Sequence, residues 1–428
     1  MKGEEEEAIR TQSLSESDPN QSQLPEDIHA EILKRLPVRT LARFRCVSKS
    51  WRCLFTNPIF VRTHLNLNHD RSSTTRIVLS RYFKTILSIG PEDYQFPSSV
   101  DTENGFVLAE ELDSPFIQGN TYYVKGHCDG LLCLVINNGA IVLWNPSIRE
   151  YRKLPTPSNF RSTREVLGLG FDSSLNDYKI IRAPSAYCKC KIKDYHPQVE
   201  VLTLSSNSWK KLPDEETPPF FIEHYQQSLT VNGGLYWLTL DDFSTVILRF
   251  DLAQEKFGLV PPPKDELGKN ISWIGVLKGS LCVLHSQRSS YFNIWTTKDD
   301  QTWEKLITVQ KILGPEPSLS SLDYAPLCFM KSGALMISVR GKGLVTYDPR
   351  EDSYKRIEVL EDERWLQETV YTESLVSPYG SNGRSDSMQV QQKRSSGSST
   401  NSLWQLVLGL TNGIVGHFSC YSGSCDRR

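Results

Sequence analysis

A motif recurs five times between Trp144 and Tyr354, and it leaves few architectures open to the chain. Each unit has an apolar strand ending in a large residue, a polar turn, and an aromatic seven or eight positions on. The pairs are Trp144 with Tyr151, Leu202 with Trp209, Phe250 with Phe257, Trp295 with Trp303, and Tyr347 with Tyr354. Their first members lie 58, 48, 45 and 52 residues apart. Three of the turns, beginning at Asn145, Asp251 and Asp348, carry Asn or Asp at the same place. Upstream of four units a glycine leads an apolar strand, at Gly130, Gly234, Gly279 and Gly333. A period near 50 with several strands per unit is the mark of a β-propeller, whose four-stranded blades bury their faces against one another. The aromatics are then blade-packing residues. Strands between about residues 75 and 125 are candidates for a sixth blade, but they carry no recognisable aromatic pair, so the blade number stays open.

The composition suits such a chain. Of its 428 residues 39% are hydrophobic, with 26 glycines and 23 prolines for turns, and a formal net charge of -2 offers no whole-protein field for nucleic acid or membrane. The ten cysteines are scattered, and the acidic start Glu4–Glu7 is unlike a secretory signal, so reduced thiols in the cytoplasm or nucleus are expected. The most apolar stretch, residues 403–416, is too short and too polar to span a bilayer.

Ahead of the β region lies a helical module. Leu24-Pro25-Glu26-Asp27 opens a helix, with acids at the positive end of its dipole, and Pro37 stops it. Ile28, Ile32 and Leu33 share one face. Leu41, Phe44, Val47, Trp51 and Leu54 follow at helical spacing, Ser48 is a candidate N-cap between two helices, and Asn57-Pro58 is read as the end. Three short helices cannot bury all this apolar surface among themselves, so they should dock on something. Packing on the β region is one option. Charge argues for a separate partner: from Ile32 to His69 there are eight basic residues, Lys34, Arg35, Arg39, Arg43, Arg45, Lys49, Arg52 and Arg62, and no acid, a stripe suited to an acidic partner.

The run Leu24-Pro25-x-Asp27-x-x-x-Glu31-Ile32-Leu33-x-Arg35-Leu36-Pro37-Val38-x-x-Leu41-x-Arg43-x-Arg45-Cys46-Val47-Ser48-Lys49-x-Trp51 resembles the F-box of plant F-box proteins. Residues 127–133 (HCDGLLC), 143–147 (LWNPS) and 371–375 (YTESL) are similar to the F-box-associated domain of the plant F-box/kelch-repeat group. The resemblance covers about residues 24–376 and implies an α+β multidomain chain, a small three-helix F-box at 24–68 and an all-β kelch-like propeller at 75–376, behind a leader at 1–23 whose acidic, Ser and Gln residues read as disordered. A flexible low-complexity segment at 377–402 and a C-terminal segment of unassigned structure at 403–428 complete the expected organisation. It also implies a non-catalytic substrate receptor of an SCF-type cullin-RING ubiquitin ligase. The F-box would bind a Skp-family adaptor through Leu24, Pro25, Ile28, Ile32, Leu33, Leu36, Leu41, Phe44, Val47, Trp51 and Leu54, some of which must instead hold the helices together. The β domain would capture a protein substrate that the sequence does not identify.

Other chemistry has thin support. Thr296–Trp303 is similar to an Asp-box turn of sialidase-like propellers but lacks its Gly and occurs once. Cys188, Cys190 and His196 lack the paired spacing of structural zinc sites, so neither metal nor cofactor is expected. Nucleic-acid binding by the basic stripe, or an adaptor role outside a ligase, are the alternatives.

Overall fold

The computed structural model describes residues 26–68, 74–80, 86–91, 93–95, 105–107, 109–112, 122–136, 139–157, 160, 164–185, 198–218, 220–223, 226–241, 244–264, 271–286, 291–310, 324–339, 343–359 and 367–380. Leu24, Pro25, Cys188, Cys190, His196, the leader at 1–23 and the tail from residue 381 lie outside them.

Four helices come first: α1 (Glu26–Leu33), α2 (Val38–Phe44), α3 (Lys49–Leu54) and α4 (Pro58–Asn68). Ser48 does cap α3, its Oγ accepting from Trp51 N at 3.1 Å. Asn57-Pro58 differs from its expected role as a stop. Asn57 Oδ1 accepts from Ile59 N at 2.9 Å, and Pro58 takes the first helical position, where a missing N–H costs nothing. The pair therefore ends one helix and starts another.

The β region forms six sheets arranged as the blades of a propeller. Blade I joins Gln367–Thr372 from the end of the domain to Thr75–Ser80, Ile86–Ile89 and Glu110–Leu112 from its start. Blades II, III, IV and V are uninterrupted four-stranded meanders beginning at Tyr122, Val166, Leu229 and Ile271. Blade VI, beginning at Tyr324, carries Gly105–Val107 and Tyr94–Gln95 as two extra outer strands. The sixth blade hid from the aromatic repeat because its strands come from both ends of the region and its outer strand is only three residues long.

The repeat itself sits on the third and fourth strands. Trp144 faces Tyr151, Leu202 faces Trp209, Phe250 faces Phe257 and Tyr347 faces Tyr354, each pair directly opposite in register. Blade V departs from this: an irregularity after Ile294 sets Trp295 opposite Lys305, and Trp303 precedes the strand. Three of the five outer aromatics also bond to the neighbouring blade. Trp209 Nε1 donates to Pro155 O at 2.7 Å, Trp303 Nε1 to Pro261 O at 2.8 Å, and Tyr354 OH to Gln310 O. Burial and a sideways hydrogen bond together explain why a large aromatic with a polar tip recurs there.

The turns follow from local chemistry. Asn145, Asp251 and Asp348 each accept, through the side-chain oxygen, from the N–H two residues on, at 2.9, 3.0 and 2.9 Å. The first-to-second-strand turns Asp129-Gly130, Asn232-Gly233 and Lys278-Gly279 have positive φ at both residues, the geometry that suits two-residue hairpins. In blade IV the turn glycine is thus Gly233, and Gly234 opens the strand.

Three residues preceding blade IV bond to four of the blades. Gln226 Oε1 accepts from Leu238 N of blade IV at 3.0 Å. Gln227 reaches blade I, donating to Glu368 O at 2.8 Å and accepting from Thr369 Oγ1 at 2.9 Å. Ser228 N donates to Lys125 O of blade II at 2.8 Å, and its Oγ accepts from Leu169 N of blade III at 3.3 Å. Four blades are thereby tied at one point. Replacing Gln227 with Ala removes two part-buried hydrogen bonds and should lower unfolding free energy by about 1–3 kcal/mol in a urea titration. The exposed turn variant Gln254→Ala should stay within about 0.5 kcal/mol of the parent.

Candidate functional site at the joint between helices and ring

The helices do not stand apart from the ring. Leu33, Val38, Leu41, Phe55 and Phe60 form a buried cluster with Ile148 of blade II and Leu375, which follows the closing strand of blade I. His64 Nε2 lies 2.9 Å from Leu36 O, pinning α4 to the turn after α1. Burying Ile148 and Leu375 contributes about 1.5–3 kcal/mol each to this contact.

Three arginines frame the apolar patch. Arg39 Nε donates to Glu373 Oε1 at 2.8 Å, and its Nη2 lies 2.6 Å from Glu110 Oε2. Burial alone would ease its proton off, but the two carboxylates hold the guanidinium charged, with its pKa above the ordinary value. Arg45 Nη1 pairs with Glu150 Oε1 at 3.1 Å, while Glu150 Oε2 accepts from Ser377 Oγ at 2.7 Å. Arg62 Nη1 pairs with Asp129 Oδ2 at 2.7 Å, its Nη2 donates to Tyr178 OH at 3.3 Å, and its guanidinium stacks 3.7 Å from the Phe171 ring centre. Burial pushes the Tyr178 hydroxyl well above its usual pKa, so it remains a donor to Asp129 Oδ2 at 2.8 Å.

This corrects the expectation drawn from the basic stripe. For Arg39, Arg45 and Arg62 the acidic surface is the chain's own propeller, and Lys34 pairs with Glu31 at 2.6 Å. The stripe therefore lends nothing to nucleic-acid binding at those positions. Asp299, the acid of the Asp-box-like turn, accepts from Thr302 N at 2.7 Å and Gln301 N at 3.0 Å. Those bonds hold its carboxyl far below the ordinary range and account for it as a turn former. Among the described residues no group of His, Cys, Asp and Glu is arranged to hold a metal, and no helix is long and apolar enough to cross a membrane.

The three downstream motifs meet at the joint. Asn145 Nδ2 donates to Ser374 O at 3.1 Å and Val376 O at 2.8 Å, and Ser374 Oγ donates to Asp129 O at 2.6 Å. Gly130 has φ of 83°, and a Cβ there would sit 2.3 Å from Ser374 Oγ and 2.7 Å from Thr372 O. Only glycine lets the two segments approach so closely. Ser377 to Gly380, expected to begin a flexible segment, are instead held on blade II: Tyr379 OH donates to Tyr151 O at 3.0 Å.

Residues 21–63 match the model of the F-box domain, and residues 83–378 match that of the F-box associated beta propeller domain. The chain belongs to the F-box proteins with an F-box-associated propeller. F-box protein CPR1 of Arabidopsis thaliana is 29% identical over 76% of this chain and 82% of its own length. An F-box/kelch-repeat protein of the same plant is 25% identical over 76% and 87%. The solved structure of TolB from Acinetobacter baumannii aligns over 69% of this chain and 67% of its own at TM-score 0.40 and 12% identity, too slight a likeness to argue from.

Within the F-box the structure sorts the residues that spacing alone left mixed. Leu33 and Leu41 are buried in the joint cluster, and Leu36, Phe44, Trp51 and Leu54 pack partly against it. Ile28, Ile32 and Val47 are 46%, 49% and 65% exposed and take no part in the cluster shared with the propeller. Ile148, Glu150 and Leu375 escaped sequence reading as joint residues because their partners are distant in sequence; the acid-free stretch was the one signal, and its partner was misread.

Arg62→Ala removes two charge-assisted hydrogen bonds and a ring contact, worth about 2 kcal/mol. The expected result is faster protease cleavage between residues 68 and 74, with the propeller's melting temperature nearly unchanged. Arg43→Ala, at an exposed position, should leave cleavage as it was.

Proposed function

We propose that this chain is the substrate-recognition subunit of an SCF-type E3 ubiquitin ligase, working in the cytoplasm or nucleus. Its F-box binds a Skp-family adaptor, and through it the cullin-RING ligase, while the propeller holds the protein to be ubiquitinated. The observation that carries the reading is the division of the F-box surface. One apolar side is spent on the propeller, yet Ile28 and Ile32 on α1 and Val47 in the turn before α3 stay exposed, where a monomer gains nothing from them. Leu24 and Pro25 join the proposed contact by their place in the motif, and the partly buried Leu36, Phe44, Trp51 and Leu54 are divided between it and the joint cluster. Leu33 and Leu41 serve the internal core.

No catalytic group is required of such a subunit. Holding target and ligase on one body raises their effective concentration, and the transfer chemistry belongs to other subunits. The target-capturing face is proposed to be the one turned away from the helices. The helices contact the first-to-second and third-to-fourth strand turns of blade II, at Asp129 and at Ile148–Glu150. An up-and-down blade puts its second-to-third strand turns and its links to the next blade on the opposite face.

The test is co-purification with a Skp-family adaptor. The double variant Ile28→Asp, Ile32→Asp should lose adaptor binding by at least about tenfold, because two charges are placed in a desolvated contact. Its melting temperature should match the parent, since both positions are exposed. Undiminished adaptor binding would reject the assigned surface.

A further inference from the structure

The charge of this chain is unevenly placed. From Glu26 to His69 eight basic residues stand against three acids, Glu26, Asp27 and Glu31, a net of +5, which leaves -7 for the rest of a chain whose total is -2. Contacts within the protein account for most of these cations. Arg39, Arg45 and Arg62 pair with propeller carboxylates, Lys34 pairs with Glu31, Arg35 lies in the field of that same Glu31, and Arg52 has a contact of its own. Arg43 and Lys49 are left over. Both are exposed, and among the described residues neither side chain meets a carboxylate.

Their place in the module is specific. Arg43 is in the last turn of α2, and Lys49 opens α3. Val47, 65% exposed, lies in the turn between them, four residues after one and two before the other. That turn is held by Cys46 N donating to Arg43 O at 3.1 Å, by Val47 N donating to Phe44 O at 3.0 Å, and by the Ser48 cap. Two cations without acids therefore flank an exposed apolar side chain on a fixed backbone. The arginines that face the propeller meet acids there; the pair beside Val47 finds its complement on another molecule. Exposed charges at the rim of a contact add little to its lifetime, but their field reaches about 8 Å at physiological salt and speeds the arrival of an oppositely charged face. The negative remainder of the chain repels an acidic body and so biases its approach toward the helices.

We propose that Arg43 and Lys49 steer an acidic face of the adaptor onto Val47 and the exposed Ile28 and Ile32. The inference rests on the reading of this module as the adaptor-binding surface, and it adds the chemistry of the partner's face: carboxylates bordering an apolar patch.

The test is stopped-flow mixing of the full chain with a purified Skp-family adaptor at ionic strengths from about 0.01 to 0.15 M. The parent's association rate should fall at least about tenfold across that range. The double variant Arg43→Gln, Lys49→Gln should associate at least about threefold more slowly at the low end and show a flatter salt slope, with its dissociation rate within about twofold of the parent's. Val47→Ser should do the reverse, speeding dissociation and keeping the salt slope. Lys264→Gln, Lys298→Gln removes the same charge from exposed positions after the last strand of blade IV and in a turn of blade V, and should leave association unchanged. Equal slowing in the two double variants, or an association rate that ignores salt, would overturn the steering and leave the ligase reading in place. Absence of adaptor binding in the parent itself defeats the ligase reading and the steering with it.

Discussion

The segment from Gln367 to Val376 carries two duties, and the rest of the molecule depends on their being joined. Its first six residues pair with Thr75–Ser80 and so close the ring, with the Gln367 amide bonding both the N–H and the carbonyl of Val124 at 2.9 Å. Its next four seat the helices: Glu373 takes Arg39, Ser374 binds Asn145 and the Asp129 carbonyl, and Leu375 enters the helical cluster. The platform on which the F-box sits is thus complete only when the ring has closed. Because these contacts span more than two hundred residues of sequence, they belong to the slow, non-local part of folding. A chain whose closing strand is unpaired would lose both its ring and the seat of its helices.

Arginine is well suited to the rest of the joint. Each of Arg39, Arg45 and Arg62 meets acids distant in sequence, and two of them engage more than one partner at once. A planar guanidinium can do this from a fixed orientation, whereas an ammonium would act as a point charge. The pairs are partly shielded, with Arg45 and Glu150 side chains both 14% exposed, so salt screens them less than it would a surface pair. Breaking such a pair leaves a charge with reduced access to water, and the asymmetry makes the joint specific rather than merely adhesive.

What could be read from the sequence was what is local. The facing pairs Trp144–Tyr151 and Phe250–Phe257, the Asn and Asp of the turns, and the Ser48 cap follow from residues within one hairpin or one helical turn. Non-local features were missed or misread. The sixth blade mixes strands from both ends of the domain, so no contiguous window contains it. The acid-free stretch correctly announced an acidic partner, but Glu110, Asp129, Glu150 and Glu373 come together only in three dimensions. Asn57-Pro58 is ambiguous for a different reason: the same dipeptide chemistry ends a helix and caps the next, and only the positions Phe60, His64 and Leu65 on the buried side of α4 decide it.

A joint of this kind changes what a receptor can do. On a flexible tether, a bound target would explore a volume set by linker length, and the effective concentration at any one point would fall as that volume grows. Here the apolar contact at Ile148 and Leu375, with three arginine clusters around it, fixes the helices on blades I to III. In the proposed receptor role, a target held on the ring would have a set distance and direction from the exposed Ile28 and Ile32. Because the blades are tied to one another at Gln226–Ser228, that geometry extends across the ring rather than ending at the blades that touch the helices.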